Sequence, residues 1–408
     1  MSWSDPTPEL RELDPLLREL RHDLHRHPEL GFEERRSQAR VRDFLQARGY
    51  QPRSCADTGL IADLHPERHG RAPTIALRAD LDALPIDERT DLPYRSVHPG
   101  VSHKCGHDGH TAILLGVADL LARHRGHIDG NVRLLFQPAE EGVRGGGAAV
   151  MLAEGALDGV AEIYGLHNWP GFPKGQLHVR PGVVMAQVTS LDLRLRGVGG
   201  HGSQPQRCRD PIVAGAHLIA ALQTVVARDL GADGGAVVSI TAFQAGNTHN
   251  VIPESAHLRG TIRAFDRDVH ERVLRRVREL VEGNARGFGV EADLQLIPGY
   301  PLLVNHPECA AAVARVGSQL LGEAAITSAG LPIAGGEDFA YFAGAVPGAY
   351  FFLGAGRPGQ DTPGCHHPDF DFDDDLITRG AALLLGLVRE RLPHLLARPG
   401  GSMTEAAR

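Results

Sequence analysis

The stretch PTIALRADLDALP, residues 73–85, reads as a buried strand: a short apolar run between prolines that ends in two acids, Asp80 and Asp82. The same grammar returns along the chain. NVRLLFQPAEEG (131–142) is a strand stopped by Pro138, AEIYGLHNWPG (161–171) one that stops near His167, and VPGAYFFLGAG (346–356) a later one. Between them lie helical patterns. TAILLGVADLLARH (111–124) is a helix with Asp108 as its N-cap, and residues 8–26 place Leu13, Leu16, Leu17, Leu20 and Leu24 on one stripe of an amphipathic helix. This alternation predicts a three-layer α/β domain.

From 188 to 300 the pattern changes. QVTSLDLRLRG alternates with period two, DPIVAGAHLIAALQTVVARDL is helical, and AVVSITAFQ and AHLRGTIRAFD are alternating strands. A second helix, RDVHERVLRRVRELVEGNA, and a last strand, VEADLQLIP, complete a β-α-β-β-α-β order, the ferredoxin-like signature. Helix, strand and helix then resume after 301. The expected organisation is a first catalytic part at 1–187, an inserted domain at 188–300 and a second catalytic part at 301–408, with a frayed tail at 397–408.

Composition narrows the function classes. The net charge of −8 argues against nucleic acid as a partner, and of the 42 lysines and arginines only Lys104 and Lys174 are lysine, the rest being scattered without a basic block. The five cysteines are widely spaced with no CxxC, which is no disulfide framework and points to a reducing compartment. The N-terminus is charged and has no apolar core, so no signal peptide is expected, and no run approaches a membrane span. A cytoplasmic location follows, with no membrane partner.

The chemistry-bearing residues fall at the ends of these elements. Asp80 and Asp82 end one strand, Glu140 and Glu141 another and His167 a third, while Cys105 and His107 precede a helix and His366 follows the late strand. In an open α/β sheet the carboxyl ends of the strands open on one crevice. Thiolate, imidazole and carboxylate together suit zinc, manganese, cobalt or nickel, and so many donors with acids to spare suggest two ions. Taken singly, each has a plainer reading. A histidine at a strand end is usually a surface residue, and a Glu pair is usually a solvated turn. Gly197, Gly199 and Gly202 spell GxGxxG, but Pro205 and Pro211 delay the helix, so no dinucleotide site is read there. A cysteine nucleophile at Cys105 with His107 as base stays open, as does a non-catalytic metal-binding scaffold.

The motifs RHDLHRHPELGFEE, LRADLDALPI, HKCGHDGHTAILLG, FQPAEEGVRGGGAAVM, GLHNWP, GVGGHGSQP, GNTHNVIPESAHLRGTIR, GGEDFAYF and CHHPDFDFDDD, in this order over about residues 20–380, resemble those of the aminoacylase and carboxypeptidase superfamily of metal-dependent amidohydrolases. The match is nearest the branch of hippurate hydrolases, indole-acetyl-amino-acid hydrolases and N-acetyldiaminopimelate deacetylases. The resemblance implies a zinc-peptidase-like catalytic domain whose insert is a ferredoxin-like lid and dimerisation domain. It implies two divalent metal ions, manganese or zinc first, held by Cys105, His107, Glu141, His167 and His366, with His366 preferred over His367 by the spacing to Pro368.

The resemblance further implies Glu140 as general base and either Asp80 or Asp82 as the acid that orients a ligand histidine. His201 matches a histidine offered to the substrate by a partner subunit. Asn250 and Arg263 match contacts to the amide region and to the amino acid carboxylate. Glu337 and Asp338 stand either near the site or at a helix start. The implied reaction is hydrolysis of the amide bond of small N-acyl amino acids by a homodimer or higher homo-oligomer, with a di- or carboxypeptidase as the alternative.

Overall fold

The computed structural model describes residues 6–142, 145–231, 234–357, 359 and 361–397; most of the expected frayed tail lies outside them. Two compact units result, one of Met1–Val184, Val304–Leu331 and Asp338–Arg408, the other of Met185–Leu303 and Pro332–Glu337.

In the first unit eight strands form one sheet, in the order Arg53–Cys55, Gly59–Asp63, Asn131–Gln137, Thr74–Asp80, Val160–Pro173, Gly348–Gly356, Leu177–His178 and Ile326–Thr327. The central four run parallel. Thr74–Asp80 and Asn131–Gln137 are buried at every position, as strands covered on both faces must be. Side chains alternate across the sheet. Ile75, Leu77 and Ala79 join one apolar cluster with Leu10 and Leu17 of helix Thr7–Arg26, Leu114 and Val117 of helix His107–Arg123, and Leu384 of helix Asp375–Leu396. Tyr350 points to the opposite face, where its ring lies 5.0 Å from that of Phe339 in helix Phe339–Ala345. The three-layer α/β expectation therefore holds.

Three local expectations fail. Leu16 is 39% exposed, and Leu10 takes its place on the buried stripe. The strand through His167 does not stop there but continues to Pro173, because it stays paired with Gly348–Gly356. Asp108 is not the N-cap of its helix, which starts at His107 after Gly106 in a left-handed conformation at φ 103°. Its buried carboxylate instead receives Arg21 Nε at 2.9 Å and His25 Nδ1 at 2.8 Å. Asp338 does stand at a helix start but makes no side-chain cap there.

The second unit is a four-stranded antiparallel sheet in the order Ala236–Ala245, Ser255–Ala264, Gln187–Arg196 and Glu291–Pro298, with helices Pro211–Thr224 and Arg267–Phe288 following the first and third strands of the chain order. Asp210 and Asp266 cap these helices, accepting from Ile212 N at 2.8 Å and Val269 N at 2.9 Å. The stretch Pro211–Asp229 is long and apolar enough to cross a membrane by length and composition alone. Here Ala214, Leu218 and Leu222 bury its inner stripe in a core with Leu193 and Leu258 of the sheet.

One close approach positions the turn after Gln137. Helix Gly147–Ala153 begins against it, with Gly147 N donating to Ala139 O at 3.0 Å, and a Cβ at Gly147 would stand 1.9 Å from Pro138 O. Gly147→Ala is expected to lower stability by about 1–3 kcal/mol through this overpacking, read by urea unfolding; an unchanged midpoint would show that the turn can back away.

Candidate metal centre

The carboxyl ends of the parallel strands bring the donors together. Cys105 Sγ lies 3.3 Å from His167 Nε2, and the donor atoms of Cys105, His107 and His167 all lie within 4.8 Å of one another. Those of Cys105, Glu141 and His366 form a second group of the same size, in which His366 Nε2 is 3.1 Å from Glu141 Oε1. Cys105 belongs to both groups. His367 is turned away, its Nδ1 3.8 Å from Asp369.

Each buried ring is oriented by its far nitrogen. His107 Nδ1 donates to Asp82 Oδ1 at 3.2 Å, and Asp82 Oδ2 accepts Glu141 N at 3.0 Å, so one carboxylate fixes a ring and a neighbouring backbone. His167 Nδ1 donates to Asn168 O at 2.5 Å. Both rings therefore present Nε2 inward, the tautomer a metal-binding imidazole needs. Asp80 is engaged elsewhere. It accepts Arg78 Nη1 at 2.6 Å and His110 Nδ1 at 2.7 Å, and lies 3.8 Å from His107 Nε2.

The residues present fit a pair of divalent cations. His107 Nε2 is buried with no hydrogen-bond partner among the described residues, an expensive arrangement unless another electrophile takes its lone pair. Glu140 Oε2 and Glu141 Oε1 come within 3.9 and 4.0 Å of that nitrogen. Electrostatics point the same way. Burial opposes charge on His107, but Asp80, Asp82 and Glu141 outweigh it and push its pKa up to about 10, so the pocket favours positive charge at this ring, a proton that a bound cation would replace. The adjacent Cys365, burial, and the charges of Glu141 and Glu140 push the Cys105 thiol well above its ordinary value. A nucleophilic thiolate is disfavoured in such surroundings, whereas a metal deprotonates a coordinating thiol outright. Burial and His110 press His167 well below its usual value, which keeps Nε2 free of a proton.

Two backbone features hold the loops. Gly106 cannot carry a side chain: its φ is 103°, and a Cβ would fall 2.2 Å from Asn168 Oδ1. Ala139 and His366, at φ 51° and 67°, sit in the left-handed region without being glycine, next to or within the donor set.

One neighbour was not legible as a site residue, and a second only as one of two alternatives. His110, in the first turn of helix His107–Arg123, places its ring 4.6 Å from that of His167 and bonds Asp80 and, at 2.7 Å, Asn168. Asp338 accepts Arg78 Nη2 at 3.1 Å, Gln137 Nε2 at 2.8 Å and Ala148 N at 3.0 Å. Beyond the motif GGEDFAYF, which carries Asp338, the one available signal was the alternation that sets Arg78 and Asp80 on one face of their strand.

Three expected residues belong to the second unit. His201 is exposed, its Nδ1 accepting from Ser203 N at 3.1 Å. Asn250 is exposed and accepts from Thr248 Oγ1 at 3.1 Å. Arg263 is half-buried, which lowers its pKa, and donates to Ala334 O at 2.6 Å.

A family model described as Peptidase family M20/M25/M40 matches residues 76–390. N-acetylcysteine deacetylase of Bacillus subtilis (strain 168) is 39% identical over 361 residues, 88% of this chain and 92% of that protein. Hippurate hydrolase of Campylobacter jejuni is 34% identical over 378 residues, 92% of this chain and 96% of that one. Among solved structures, a Bacillus subtilis dinuclear metal binding peptidase from M20 family superposes with a TM-score of 0.78 at 35% identity, covering 94% of this chain and 99% of the other. The resemblance read from the motifs is thus borne out, and the chain belongs to Peptidase family M20/M25/M40.

Proposed function

We propose that the protein hydrolyses the amide bond of N-acyl amino acids at a two-metal centre held by Cys105, His107, Glu141, His167 and His366. The observation that carries this reading is the pair of donor groups sharing Cys105, with Glu140 beside them. Manganese and zinc suit this mixed thiolate, imidazole and carboxylate set best, with cobalt and nickel as alternatives. Two bound cations would polarise the scissile carbonyl and lower the pKa of a water, from about 16 toward roughly 7 in favourable zinc sites.

The protein's own groups do the remaining work. Glu140 takes the proton of the attacking water and returns it to the leaving amine, a transfer worth about 10²–10⁴-fold. Asp82 is the acid that keeps His107 in its tautomer, which leaves Asp80 to the Arg78 and His110 pairs. His201 donates to the developing oxyanion, Asn250 contacts the amide region and Arg263 pairs with the amino acid carboxylate. That N-acyl amino acids are the substrates is supported by the two relatives whose names are N-acetylcysteine deacetylase and hippurate hydrolase.

The second unit serves as lid and dimerisation domain. Val198, Ile212, Val213, Phe243, Val251 and Ile297 are exposed large apolar side chains of this unit, the kind of area a second copy would cover. The five free cysteines support a cytoplasmic location.

The decisive assay is a panel of N-acetyl, N-benzoyl and indole-acetyl amino acids and dipeptides, tested with each metal after chelation. Cleavage of dipeptides alone would favour the di- or carboxypeptidase alternative. Glu140→Gln should retain both metals while losing at least about 100-fold in turnover; turnover at the wild-type rate would remove Glu140 from the mechanism. His201→Ala should cut kcat by about 100- to 1,000-fold with metal content unchanged, and loss of metal in that variant would place His201 among the ligands instead.

A further inference from the structure

Lys104, immediately before Cys105, is fully buried, and its neighbours set it apart from an ordinary internal charge. Its carbonyl accepts His366 N at 2.6 Å. Its ammonium donates to Phe370 O and to Glu88 Oε1, each at 2.8 Å. One residue therefore grips the loop bearing His366 at both of its ends. Between these grips the loop is neither helix nor strand, and His366 holds a φ of 67°, a conformation that persists only where surroundings enforce it.

We infer that Lys104 is a positioning residue for His366, clamping its loop to the segment that carries Cys105 and His107. The inference rests on the two-metal reading above and adds to it a residue that sets the distance between Cys105 and His366. Glu88 makes the buried ammonium tolerable, since an unpaired charge there would be strongly destabilising. Glu88 is itself held by His25 Nε2 at 3.1 Å and by Ser96 N at 2.8 Å.

The chain's composition adds an independent argument. Of its 42 lysines and arginines only two are lysine, so a buried lysine stands against a strong bias toward arginine. A compact ammonium with three rotatable donors can serve a carboxylate and a carbonyl in one slot where a planar, five-donor fork cannot.

The test is calorimetric titration of Mn²⁺ or Zn²⁺ into chelator-stripped protein, with thermal unfolding in parallel. It compares wild type, Lys104→Met, and Lys104→Met with Glu88→Gln. The double variant removes both charges of the pair, lets the amide oxygen accept Ser96 N while its NH2 faces the ring nitrogen of His25, and so guards against misfolding from a lone buried carboxylate. Wild type should take two equivalents. Both variants should keep one at wild-type affinity and bind the other about ten-fold or more weakly, the size typical when a ligand's support is removed. A folded double variant that binds both equivalents as wild type does overturns the inference, and so does equal weakening of both, which would mark a merely structural role. Wild type binding fewer than two equivalents would overturn the two-metal reading itself, and the clamp with it.

Discussion

Asp80, Asp82, Glu140, Glu141 and Cys105 crowd around one imidazole at the end of a buried sheet, and this concentration of negative and thiol groups is what the rest of the catalytic unit is arranged to sustain. Burying charge is costly unless each group is paired or coordinates a metal. Arg78 offsets part of it, reaching Asp80 and Asp338 from the same face of the same strand. Cations at the donor groups that share Cys105 would offset the rest, and would invert the pKa logic that otherwise holds the thiol protonated.

The sheet provides the rigidity this requires. The parallel strands ending at Asp80 and Gln137 are buried along their whole length, so the turns that follow them are fixed by packing on two faces. The donors then come from turns and loops whose conformations are constrained locally. Gly106 is excluded from carrying a side chain by Asn168, and Ala139 is held left-handed beside Glu140. The helix starting at His107 aims its first turn into the site, while Asp108, one residue on, is turned to Arg21 and His25 on the far side. A single tight turn thus separates the donor groups from a buried ionic network behind them.

Much of this was legible in the sequence because strand ends are readable. Apolar runs that stop at acids or at proline located Asp80, Asp82, Glu140 and Glu141, and the long motifs tied them to Cys105, His107 and His366. What was not legible depended on contacts between distant segments. Asp80 and Asp82 share a strand end and differ only in partners: Arg78 and His110 take the first, His107 the second. Asp108 looked like a cap because its partner Arg21 lies far off in sequence. The strand through His167 does not stop near that residue, because pairing with Gly348–Gly356, a contact between distant segments, carries it on to Pro173. Leu16 fits the helical stripe as well as Leu10 does, and only the packing of the helix on its neighbours separates them.

The central claim is that Cys105 joins two cations in one centre. Anomalous diffraction from crystals of the zinc-loaded protein, collected on both sides of the metal's absorption edge, tests it most directly. Two anomalous peaks are expected, each at a bonding distance of about 2.3–2.5 Å from Cys105 Sγ, one beside His107 and His167 and the other beside Glu141 and His366. A single peak, or a second peak with Cys105 outside its coordination sphere, would contradict the shared-thiolate centre.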